Sequence, residues 1–274
     1  MTNRSCGARL PSVLPAHRPN FVPMPQRQTV TIFDLDGTLV QTESLKAQSY
    51  ARAAVELSEG AVHAQEVAAA YDEMIGRARE EVAAALLARF DLSRYAEPQM
   101  RELGSATPLD AFMTLRLRIY ESMIEDERII REQEYPWATA LLREVRRRGY
   151  PVGVATMSHR KHAMLVLDRL GLTDQVDALV TREDVTRPKP DPEIYLLAAS
   201  RLGAEPRDCF VLEDSLPGVL SANAACTYCL ALTNDLTRDA IHAANVLPPE
   251  RVVDDPARLG TVARALLADL APAR

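Results

Sequence analysis

Asp34 and Asp36 stand one residue apart where an apolar run breaks off (residues 29–40, TVTIFDLDGTLV), and Gly37 and Thr38 follow them. Two acids at the carboxyl end of a strand sit where open α/β sheets place their ligands. Gly37 lets the backbone turn sharply and approach such a ligand. Three later stretches carry matching chemistry: Thr156 with Ser158, Lys189 between Pro188 and Pro190, and Glu213 beside Asp214. Gathered at one sheet edge, these carboxylates repel, each pair at ~4 Å costing on the order of 4 kcal/mol at an effective dielectric near ~20. The cluster needs cations. A hard divalent ion with oxygen ligands, Mg²⁺ by preference, and the Lys189 ammonium would supply them. Acids, a lone lysine and a hydroxyl, with no Cys or His ligands, point to phosphate chemistry rather than a zinc site.

Charge then assigns roles. Asp34 is the candidate nucleophile, forming an aspartyl-phosphate once the phosphoryl oxygens are neutralised. Asp36 points the same way; it would protonate the leaving alkoxide and later deprotonate the hydrolytic water. Thr156 and nearby amides would hold phosphoryl oxygens, Lys189 would screen charge, and Asp214 with Glu213 would hold the metal.

The elements that must position these groups follow from periodicity. Residues 29–33 read as a buried strand, rich in β-branched and aromatic residues. Residues 42–135 are Ala-rich with helical spacing, punctuated by Asp91, Pro98, Gly104 and Pro108, which predicts four or five helices. After Pro136, helices at 138–148, 161–170, 192–202, 215–225 and 258–270 alternate with strands at 152–156, 178–180, 209–212, 228–232 and 251–253. Such alternation predicts a Rossmann-like, doubly wound parallel sheet with helices on both faces. The first strand belongs to the same sheet. The expected organisation is therefore a core of residues 28–41 and 136–274 and an inserted all-helical cap of 42–135. Residues 1–27 hold Pro11, Pro15, Pro19, Pro23 and Pro25 and no acid, and read as a disordered extension.

The chain has 274 residues, 47% hydrophobic and 26% charged, with net charge −6, the composition of a globular protein. Arg146, Arg147 and Arg148 form the longest basic run, expected on a solvated helix face; no nucleic-acid partner and no membrane span are expected. Cys226 and Cys229 have redox or half-zinc-site spacing but no second pair, so two buried thiols in a reducing cytoplasm are expected.

The four motifs, DLDGTLVQTE at 34–43, ATMS at 155–158, RPKPDPEIY at 187–195 and LEDSLPG at 212–218, identify the chain as similar to the haloacid dehalogenase superfamily. Within it, the chain resembles the β-phosphoglucomutase-like sugar-phosphate phosphatases with a helical cap. The resemblance implies Mg²⁺ bound by Asp34, the Asp36 carbonyl and Asp214, and an aspartyl-phosphate intermediate. Asp36 favours a C–O–P substrate over a halide, whose departure needs no proton. In the cap, Gly76 and Arg79 match the spacing of a loop that grips a distal phosphate, with a salt-bridged helix start as the plain alternative. Ser158, His159 and Arg160 fall where relatives contact the far end of the substrate. Lys46 stands where mutase relatives carry His, and Ile75 where they carry Lys, which puts a mutase cycle in doubt. A Schiff base on Lys46, as in phosphonate-cleaving relatives, is a minor option. Met157 and Trp137 replace smaller residues and imply an altered pocket wall. The implied activity is a phosphatase acting on a small phosphorylated metabolite, a sugar or polyol phosphate, in a monomer or weak homodimer. A phosphosugar mutase and a non-catalytic metal-binding scaffold are the alternatives.

Overall fold

β1 (Val30–Phe33) is buried along its whole length, as a strand covered on both faces must be. The computed structural model describes residues 28–74 and 79–270, so the expected extension at 1–27, Ile75, Gly76 and Arg77 lie outside it. β1 sits near the centre of a six-stranded parallel sheet ordered β3-β2-β1-β4-β5-β6. The partners are β2 (Val152–Ala155), β3 (Ala178–Val180), β4 (Cys209–Glu213), β5 (Tyr228–Leu232) and β6 (Val252–Val253). Phe33 pairs with Val154 on one side and Leu212 on the other. That register releases Asp34, Thr156 and Glu213 at the same edge. Side chains alternate between faces: Ile32, Val211 and Cys229 pack with Ile194, Tyr195 and Val219, whereas Phe33, Val154 and Leu212 pack with Leu142, Leu167 and Leu266. This is the expected Rossmann-like sheet.

Between β1 and β2 run α1 (Thr42–Leu57), α2 (Ala64–Asp72), α3 (Arg79–Arg89), α4 (Ser93–Leu103), α5 (Pro108–Glu125), α6 (Glu127–Glu132) and α7 (Pro136–Arg147). The others are α8 (Arg160–Arg169), α9 (Glu193–Arg201), α10 (Leu216–Ala224), α11 (Arg238–Ala244) and α12 (Leu259–Leu270). Six helices, not four or five, precede Pro136 among the described residues. The extra one, α6, is too short for periodicity and starts at Asp126, whose side chain accepts from the Arg128 N–H. Helices α1–α5 close an apolar cluster of their own around Tyr50, Leu86 and Phe112. The second half of α5 (Tyr120, Met123, Ile124) instead joins the cluster under the sheet. The two chain crossings are zipped together: the Gln41 N–H donates to Gln133 O at 2.8 Å and the Tyr135 N–H to Leu39 O at 2.9 Å. Among the described residues, no helix is long and apolar enough to cross a membrane.

The expected pair of buried thiols is corrected: Cys229 is buried on β5, but Cys226 is exposed. The cause is the stop of α10. Thr227 N–H bonds Ala222 O and Cys226 N–H bonds Asn223 O, a Schellman closure that forces Cys226 to φ +59°. A side chain there costs about 1–2 kcal/mol, and glycine gives back about 0.4–1 kcal/mol through the unfolded chain. Cys226→Gly should therefore stabilise the protein by roughly 0.5–1 kcal/mol, read as a higher midpoint in urea.

Candidate active site

Lys189 is the hub of the buried edge. Its ammonium donates to Asp34 Oδ1 at 2.7 Å, Glu213 Oε1 at 2.6 Å and Ala155 O at 3.2 Å. It is held by the loop before α9, with a cis Lys189–Pro190 bond. Glu213 has no exposure and no spare acceptor capacity. Tyr195 OH also donates to Oε1, while the Asp214 and Ser215 N–H groups and the Ser215 hydroxyl donate to Oε2. Gly218 makes room for it, since a Cβ there would lie 1.8 Å from Oε1. Glu213 thus aims Lys189 rather than offering itself outward. Asp214 is different. Thr38 Oγ1 donates to Oδ1 at 3.3 Å and Asn234 Nδ2 to Oδ2 at 3.0 Å, leaving lone pairs toward Asp34. A Cβ on Gly37, at φ +90°, would come within 2.2 Å of Asp214 Oδ2.

Carboxylate oxygens of Asp34, Glu213 and Asp214 lie within 4.8 Å of one another. Burial pushes the Asp34 carboxyl up to about 7, with Glu213 and Asp36 adding to it against Lys189. Asp214 is raised by the same burial and by its acidic neighbours. The group is short of positive charge, and hard, buried oxygen donors without Cys or His suit a divalent cation such as Mg²⁺.

The Asp36 side chain, expected as the acid–base group with only its carbonyl toward the metal, stands outside that group. It takes hydrogen bonds from Thr42 Oγ1, Thr156 Oγ1 (2.9 Å) and Ser158 Oγ (2.7 Å), and Lys46 Nζ lies 3.5 Å away. Against the upward push of burial, Lys46 and these hydroxyls hold its carboxyl down at about 2. The Thr156 hydroxyl, fully buried, is committed to Asp36 and to the Ser158 N–H.

A cavity of about 230 Å³ opens on the Asp36 side, reached through Lys46 and Ser158. Arg79 lines it from the start of α3, and its guanidinium lies 3.4 Å from His159 Nε2. The expected cap and core residues thus meet. Arg160 does not join them: its guanidinium pairs with Asp184 and its N–H with Glu183, because the start of α8 turns it toward the 3₁₀ turn after β3. Met157 packs into the sheet cluster and Trp137 is about half exposed, so neither forms the expected wall. His162 is buried against Glu121 (3.0 Å) and the Tyr120 ring, on the cavity rim. The sequence reading missed Glu43, Tyr50, Tyr71, Arg116 and Tyr120 of this cavity. The one available signal was Arg116 itself, a charge on the buried face of α5.

A family model for haloacid dehalogenase-like hydrolases matches residues 29–225. Validoxylamine A 7'-phosphate phosphatase of Streptomyces hygroscopicus subsp. limoneus is 29% identical over 228 residues, covering 80% of this chain and 92% of its own. The phosphorylated carbohydrates phosphatase of Thermotoga maritima is 29% identical, covering 71% and 80%. In fold, the chain is similar to the β-phosphoglucomutase of Clostridium difficile, with a TM-score of 0.62 at 20% identity over 88% of this chain and 98% of that one. With the family model spanning well over half the chain and its four motifs meeting at one sheet edge, the chain belongs to the haloacid dehalogenase-like hydrolase family.

Proposed function

We propose that the chain is a Mg²⁺-dependent phosphatase that hydrolyses a small phosphorylated metabolite, a sugar or polyol phosphate, through an aspartyl-phosphate on Asp34. One observation carries the reading: Asp34 is fixed by Lys189 beside Asp214, while Asp36, from the next turn of chain, accepts from Ser158 and neighbours Lys46, both of which line a small polar cavity. Asp34 and Asp214, with the Asp36 carbonyl, would hold the ion; it supplies positive charge beside the phosphoryl oxygens. Glu213 keeps Lys189 in place. The Asp34 carboxylate attacks phosphorus, the ester P–O bond breaks, and the leaving oxygen takes a proton from Asp36. Water then gives a proton to Asp36 and attacks phosphorus, breaking the Asp34–P bond and releasing orthophosphate. Lys46 and the three hydroxyls favour the ionised form of Asp36, which suits the second half; for the first, substrate would loosen the Lys46 contact so that Asp36 can carry a proton. Residues 42–135 would act as a cap over the cavity, hinged at the paired crossings. Two relatives named as phosphatases, one of them for phosphorylated carbohydrates, support the substrate class. The free thiols of Cys209, Cys226 and Cys229 favour a reducing, cytoplasmic setting.

The test is phosphate release from a panel of sugar and polyol phosphates with Mg²⁺. Turnover of at least one member well above the Asp34→Asn background is expected. No such member would sink the reading, and conversion of β-glucose 1-phosphate to glucose 6-phosphate without net phosphate release would establish a mutase instead.

A further inference from the structure

Asn234 follows β5 and lies outside the four sequence motifs. Its place is set by the sheet. β5 runs in register with β4, Ala231 opposite Glu213, so the loop after β5 leaves at the edge where Asp214 stands. Thr233 fastens that loop to the chain around β6: its N–H donates to Val253 O at 3.0 Å and its hydroxyl to Asp254 Oδ1 at 2.8 Å. Asn234 then opens the turn into α11. The Arg238 N–H donates to its carbonyl at 3.0 Å, and the Leu236 N–H to its Oδ1 at 2.9 Å. With Oδ1 taken up by that N–H, the side chain meets Asp214 through its NH₂ end, which donates to Oδ2 at 3.0 Å. The turn, not the acid, fixes which way the amide points.

Asp214 depends on this contact. It is buried beside Asp34 and Glu213, whose charges repel it. Among the described residues, its carboxylate has one other donor, Thr38 Oγ1, at a longer 3.3 Å. Glu213 is clamped far more firmly, by Lys189, Tyr195, Ser215 and two N–H groups. A carboxylate pressed by like charges and held by so little turns away once its shorter bond is cut. The donor that orients a ligating carboxylate therefore governs how well the ion is held. Mg²⁺ demands near-ideal octahedral geometry, whereas Ca²⁺ tolerates a loose one.

We propose that Asn234 is a positioning residue for the metal: it holds Asp214 toward Asp34, and so sets how well the site takes Mg²⁺ relative to Ca²⁺. This rests on the reading of Asp34 and Asp214 as metal ligands. The plain alternative is that Asn234 only closes its turn and eases the Tyr135 hydroxyl, which burial and Asp214 push up.

Asn234→Ser separates the two roles. A serine hydroxyl can accept from the N–H two residues on, which keeps the turn, but it is too short to reach Asp214. Calorimetry on the metal-stripped, full-length protein gives the dissociation constants for Mg²⁺ and for Ca²⁺. In the variant, Mg²⁺ should bind about 10- to 100-fold more weakly, with a several-fold smaller loss for Ca²⁺ and unchanged near-UV circular dichroism. If that variant loses its tertiary signal, Asn234→Asp decides, since it keeps the turn acceptor and the side-chain shape and removes the donor. Its added charge acts on both ions, so the ratio of the Mg²⁺ to the Ca²⁺ constant is read, and it should rise about threefold or more. A ratio that stays at the wild-type value in the folded variant overturns the inference and leaves Asn234 as a turn residue. A wild-type protein that binds no Mg²⁺ would sink the metal reading and this assignment with it. The expected shift in ratio without phosphate release by the wild type would sink the phosphatase reading alone.

Discussion

Replacing Asp34 with asparagine abolishes phosphate release, lowering kcat on the order of 10⁴-fold, while the fold and its melting temperature change little. The amide cannot attack phosphorus, so no covalent intermediate forms. Its Oδ1 can still accept from Lys189, which keeps Glu213 as a second anion at 2.6 Å. One negative charge leaves a site where Asp34, Glu213 and Asp214 crowd within 4.8 Å, so the lost ion pair is offset by relieved repulsion. Acid-quenched wild-type protein should carry phosphate after mixing with substrate, and the variant should carry none. Activity within about 100-fold of wild type would point to direct attack by water.

The strand ends were legible because chemistry and position coincide there. A buried run that stops in two acids can do little else at the edge of a parallel sheet, and the expected bounds of β3 and β5 match the structure. The different fates of Glu213 and Asp214 were also within reach of sequence reasoning. Neighbours on a strand point to opposite faces, so one acid turns inward to Lys189 and Tyr195 while the other turns toward Asp34. What was not legible depends on packing across long separations. Arg160 finds Asp184, and Arg79 finds His159, only once the helices and the sheet have met. Arg116 reaches the cavity because α1 and α5 pack together and bring Tyr50 and Tyr120 to either side of it. Periodicity marks such a residue as buried but cannot say what it faces.

Chelating divalent ions should remove activity, and Mg²⁺ should restore it; the two neighbouring acids should then separate by how each affects the ion. At Mg²⁺ about 100-fold above its dissociation constant, binding adds about 2.7 kcal/mol to stability, a rise of roughly 5–10 °C in melting temperature for a chain of this size. Asp214→Asn should erase that rise with little effect on the metal-free protein, because Asp214 keeps only two single hydrogen bonds, from Thr38 and Asn234. Glu213→Gln should do the reverse. Glu213 has no exposure and accepts at both oxygens, from Lys189, Tyr195, Ser215 and two N–H groups; the NH₂ end of a glutamine would face donors there and leave buried groups unpaired beside Lys189, at a cost of about 3–5 kcal/mol. That variant should melt far lower with or without the ion, yet still gain stability from Mg²⁺. If Glu213→Gln instead cancels the Mg²⁺ response and Asp214→Asn retains it, the ligand and the positioning residue are the other way round, and Lys189 is held by something else.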